Sequence, residues 1–157
     1  MFFDFDSVEY FSLNKSKEEE IVKNNRKGIK DSILNNILYS EFPDKLDNNV
    51  FYKTIGASGF SKFKLSQEDV EYLRSDILLE KFSLKIFEAV KGCAPEYRDI
   101  LVFKKNNEIS GLAKICLSCG EFYFISSKKG IQTENFGTKQ DYESLAKLFN
   151  TYKQVRN

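Results

Sequence analysis

Three features of the sequence predict an α+β fold: helically spaced apolar residues in the first half, β-prone runs from Tyr97 onward, and a closing amphipathic stretch. The expected architecture is an antiparallel β-meander in the C-terminal half packed against N-terminal helices and a C-terminal helix. Nothing in the chain reads as a linker, repeat or low-complexity tract, so residues 1–157 are expected to form a single globular domain.

The opening MFFDFDSVEYFSL alternates loosely between apolar and acidic residues and reads as one or two short strands. Ser16 followed by Glu19 has the spacing of a capping box, which predicts a helix ending near NNRKG. A second helix is expected from about Lys30, with Ile29, Ile33, Leu34, Ile37 and Leu38 on one face, broken at Pro43. DNNVFYKTIGASGF suggests a short helix capped by Asp47 or Asn48 and ended by Gly56 or Gly59. GFSKFKLS, Gly59 to Ser66, reads as an amphipathic strand; a base-stacking surface is its alternative reading. Ser66 and Asp69 repeat the capping pattern ahead of a helix that places Val70, Leu73, Ile77 and Leu78 on one face. SLKIFEAV is too short to separate helix from strand.

RDILVFKK and EISGLAKICL are apolar runs joined by Asn106-Asn107, a pair suited to the positive φ angles of a two-residue hairpin. The simplest register sets Phe103 opposite Ser110, Leu101 opposite Leu112 and Asp99 opposite Lys114, which predicts an ion pair between the last two. Both faces of this hairpin are apolar, as in central strands covered by helices. EFYFIS supplies a third strand, and Thr138 with Asp141 starts the last helix, carrying Tyr142, Leu145, Ala146, Phe149 and Tyr152 on one stripe.

Composition then narrows the chemistry. A hydrophobic content of 41% beside 30% charged residues excludes a disordered chain and a membrane-embedded one. The net charge of +1, with few arginines among the basic residues, argues against nucleic acid as a partner. The absence of histidine removes Ser-His-Asp and Cys-His nucleophiles and histidine-ligated metals, so any catalysis would fall to carboxylates, Lys, Tyr or Cys, none of which forms a recognisable constellation, and the reading leans towards a non-enzymatic protein. An acidic N-terminus without a long apolar run predicts a cytoplasmic protein with no membrane segment.

Three cysteines, an odd number, argue against a disulfide framework in a reducing compartment. Cys116-x-x-Cys119-Gly120 between two strands has the form of a metal knuckle, in which glycine permits the tight turn. Cys93 would be the third thiolate, with Glu121 or a second protomer completing the set around zinc; otherwise no cofactor is expected. A redox pair and a set of buried, inert thiols are the other readings. In CAPEYRDI, Tyr97 and Arg98 at the start of a strand are candidates for contacting a protein partner, with an internal anchor as the alternative.

The run CAPEYRDILVFKKNNEISGLAKICLSCG, with NFGTKQDYESLAKLF after it, resembles a group of small uncharacterised bacterial proteins. Their C-terminal halves share a Cys-x-Pro-x-Tyr-Arg-Asp strand, a Lys-Ile-Cys-x-x-Cys strand and a Phe-Gly-x-x-x-Asp-Tyr-x-x-Leu helix start. The resemblance covers roughly the last 65 residues, lapses in EFYFISSKKGIQTE after Gly120, and transfers no catalytic residue. It implies that Cys93, Cys116 and Cys119 belong to one motif. The functional expectation is a non-catalytic protein-binding module, an immunity-type inhibitor of a toxin acting in the cytosol, anchored by abundant aromatics. The alternative is a thiol-based metal or redox protein.

Overall fold

Strand β1 (Ser7–Leu13) is the second strand of one antiparallel sheet, lying between β2 (Phe60–Lys64) and β3 (Asp99–Lys105). Beyond β3 come β4 (Glu108–Cys116) and β5 (Glu121–Ser126), giving the order β2-β1-β3-β4-β5. The computed structural model describes residues 1–79, 93–133 and 136–154. The expected meander is therefore β3-β4-β5, extended to five strands by two from the N-terminal half. The ambiguous segment SLKIFEAV lies outside the described residues.

Each helix begins where a polar side chain can take up a free amide, with one exception. Asp31 caps α2 (Ser32–Tyr39) and Asn48 caps α3 (Asn49–Ala57), each accepting from an amide three residues on at 3.0 Å. Ser66 caps α4 (Gln67–Tyr72), which continues as a π-turn through Ile77. Thr138 and Asp141 form the reciprocal box ahead of α5 (Lys139–Gln154), the Thr138 amide donating to Asp141 Oδ2 at 3.0 Å. The exception is α1 (Lys15–Arg26), whose N-cap is Asn14 rather than Ser16 and makes no side-chain cap bond. Asn14 Oδ1 instead accepts from Ser61 Oγ of β2 at 2.6 Å, while Ser16 lies inside the first turn and is not the cap.

Helices cover both faces, as the apolar strands require. On one face Ile21, Leu34, Ile37, Leu38, Phe51 and Ile55 from α1, α2 and α3 pack on Phe11, Ile100, Val102 and Leu112. The expected stripe of α2 is only partly buried, since Ile33 is 38% exposed and Ile29, before the helix, is 62% exposed. On the other face α4, the π-turn and α5 pack on Tyr10, Leu101, Phe103 and Ile115, with Phe2, Phe3 and Phe5 filling the remaining space.

The hairpin turn forms as expected, with φ of 51° at Asn106 and 67° at Asn107. Its register does not. A bulge between Phe103 and Lys104 leaves Ser110 as the extra residue, so Phe103 pairs with Gly111, Leu101 with Ala113 and Asp99 with Ile115. A slip of one residue moves every following side chain to the opposite face. Asp99 and Lys114 consequently lie on different sides of the sheet, and the expected ion pair between them does not form. Gly111 allows the close approach that fixes this register: a Cβ there would lie 2.3 Å from Cδ1 of the buried Phe3 ring.

Candidate functional site

The three cysteines converge at one end of the sheet, where β3 starts and β4 turns into β5. Cys116 is the last residue of β4 and is 1% exposed. Cys119 follows in the turn, which Gly120 closes with a φ of 63° and an amide donating to the Cys116 carbonyl at 2.9 Å. Cys93, exposed in the segment leading to β3, is disulfide-bonded to Cys119 with a Cα–Cα distance of 5.9 Å, within the ordinary range for such a bond. This corrects the expectation, drawn from the odd cysteine count, that no disulfide would form. The odd cysteine count obscured a single pair, and only the meander brings residues 26 positions apart together.

Cys116 remains a free thiol in a buried cluster with Tyr97 and Cys119, against which Tyr123 packs. The Glu96 amide donates to Cys116 Sγ at 3.3 Å, and Ser118 Oγ lies 3.4 Å from the same sulfur. With Cys93 and Cys119 joined, neither has a thiolate to offer a cation, and among the described residues no group of three or more Cys, Asp or Glu side chains could hold a metal. A zinc site on Cys93, Cys116 and Cys119 would thus require reduction of the bond.

Tyr97 and Arg98 separate in role. Tyr97 is 4% exposed, so the expected contact with a partner gives way to the internal anchor: its amide donates to the Leu38 carbonyl at the end of α2 at 2.8 Å. Arg98 is half-buried and bonds Glu18 of α1 at 2.7 Å as well as its near neighbour Glu96. It lines an open groove of about 650 Å³ with Glu18, Glu96, Asp99, Ser118 and Lys153. Asp99, freed from Lys114 by the register shift, accepts from Tyr10 Oη at 2.5 Å and pairs with Lys153 of α5 at 2.8 Å.

Lys114 is the residue that sequence reasoning misplaced. It shares the Cys116 face of β4, is fully buried, and donates to the carbonyls of Ser40 at 2.6 Å and Phe42 at 2.8 Å. Its Nζ lies 4.5 Å from the Tyr97 ring centroid and 5.6 Å from that of Tyr123. Tyr123 Oη donates to the Pro43 carbonyl at 2.9 Å, so the loop after α2 is tied down over this end of the sheet. Burial pulls the Lys114 amine down to about 7, against an upward push from Glu41. Burial also raises the Tyr97 phenol to about 12, with Glu41 and Glu121 adding to the effect. The available signal was a single lysine inside the otherwise apolar run GLAKICL.

Most of the aromatic side chains among the described residues are buried or half-buried. Among the described residues no phenylalanine is exposed, and the exposed large aromatics are Tyr39 and Tyr72. No helix among the described residues is long and apolar enough to cross a membrane. No protein-family model, curated protein or solved structure matches the chain.

Proposed function

We propose that the protein is a thiol–disulfide redox protein whose exchanging pair is Cys93 and Cys119. The observation that supports this reading is the asymmetry of the bond: Cys93 is exposed while Cys119 is 7% exposed, beside a third cysteine that stays reduced. An incoming thiolate attacks Cys93 Sγ, the bond to Cys119 breaks, and Cys119 departs as a thiolate that takes a proton from water. A second external thiolate attacks the mixed disulfide at the sulfur of the first, releasing Cys93 and completing the two-electron reduction. Cys119 Sγ lies 3.4 Å from the Ala94 carbonyl, an acceptor for its S–H once the bond is open.

Equilibration in glutathione buffers of graded ratio, followed by acid quenching and counting of thiols, tests the reading. A midpoint above about −300 mV supports an exchanging pair. A bond that stays closed well below that potential is a structural staple, and the reading then fails. The other function class, a non-catalytic immunity-type inhibitor of a toxin, would draw its exposed aromatic anchors among the described residues from Tyr39 and Tyr72.

A further inference from the structure

We infer that Cys116 is the resolving thiol of this site, able to take Cys119 from Cys93 without any external reagent; the inference rests on the redox reading above. Cys116 and Cys119 share one buried cluster with Tyr97, and the chain folds back between them in the tight turn whose Gly120 amide donates to the Cys116 carbonyl at 2.9 Å. At 1% exposure the Cys116 sulfur is closed to solvent reagents, so its reaction partner must be a group already packed against it. The only disulfide among the described residues supplies that group.

The step balances internally. Cys116 Sγ attacks Cys119 Sγ, a Cys116–Cys119 bond forms, and the Cys93–Cys119 bond breaks. Cys93 leaves as a thiolate, and the proton lost by Cys116 is returned to Cys93 through water, so no oxidant or reductant is consumed. The Glu96 amide at 3.3 Å and Ser118 Oγ at 3.4 Å hold the attacking sulfur in place. Cys93 is the exposed member of the three, so exchange moves the free thiol from the interior to the surface. It also releases the segment that precedes β3 from the β4–β5 turn. The device gives one protein two oxidised forms: a closed form with its thiol hidden, and an open form that presents Cys93 to a second thiol or disulfide.

Alkylation of the oxidised protein without reductant tests the inference. Iodoacetamide is added to folded wild type, the reaction is acid-quenched over time, and peptide mass spectrometry reports the label and the disulfide connectivity. Wild type should accumulate label on Cys93 together with a Cys116–Cys119 linkage, at a rate that levels off as reagent is raised because exchange becomes limiting. Cys116→Ser and Cys116→Ala should each abolish Cys93 labelling while keeping the Cys93–Cys119 bond, with circular dichroism confirming that at least one variant is folded. Label on Cys116 only after unfolding, with Cys93 never labelled in wild type, overturns the resolving role. Retention of Cys93 labelling in a folded Cys116 variant overturns it equally. If the glutathione titration has shown an exchanging pair, either result removes the relay alone; a bond inert to glutathione as well removes both readings.

Discussion

Lys114 shows how one residue can carry opposite meanings in the sequence and in the fold. Beside Asp99 it would be one half of a cross-strand ion pair; on the other face it is a buried amine that bonds two carbonyls and faces two tyrosine rings. Its folded value of about 7 lies below the ordinary lysine value of 10.5, so between those limits the unfolded chain binds more protons than the folded one. Stability from this group therefore rises with pH across that window, and the penalty is greatest below about pH 7. Urea unfolding of wild type should show a gain on the order of 2 kcal/mol from Lys114 between pH 7 and pH 9. Lys114→Met should flatten that rise, whatever it does to stability at a fixed pH. An identical slope in the variant would mean that the amine is fully charged or reaches water in the folded protein.

At the scale of elements, the hairpin of β3 and β4 was legible in its turn and illegible in its register. Asn106-Asn107 announces positive φ by its chemistry, because asparagine tolerates the left-handed region. The bulge has no comparable local signal: Ser110 is left over because Gly111 must sit under Phe3, more than one hundred residues away in sequence. Gly111→Ala should test this, since its Cβ would meet a buried ring that stacks on Phe103 at 4.2 Å between centroids. The expected cost is about 1–3 kcal/mol by denaturant unfolding, with part regained when Phe3→Leu is added to make room. Full stability in the single variant would show that the ring shifts freely and does not set the register. The α1 helix starts close to where it was expected, but its N-cap is Asn14 rather than Ser16, and the Asn14 side chain is taken up by Ser61 of β2. The caps at Asn48, Ser66 and Thr138 were readable because their partners lie three residues away.

Across the whole molecule, the sheet separates two apolar layers, and the disulfide joins the segment before β3 to the turn at the far end of β4. Closing a span of 26 residues restricts the unfolded chain, which in the loop-entropy account stabilises the fold by about 3.5 kcal/mol. Cys93→Ser should lower unfolding stability by roughly that amount, and reduction of wild type should give a similar drop. Equal midpoints for oxidised wild type and Cys93→Ser would mean that the bond acts in exchange without supporting the fold. The sequence by itself determined the elements, the apolar character of both sheet faces and the exclusion of histidine chemistry, since these follow from spacing and residue type. Only the tertiary structure decided which two cysteines are joined, which face carries Lys114 and where the aromatics lie. Those outcomes depend on strand register and on packing between distant segments, neither of which a local pattern encodes.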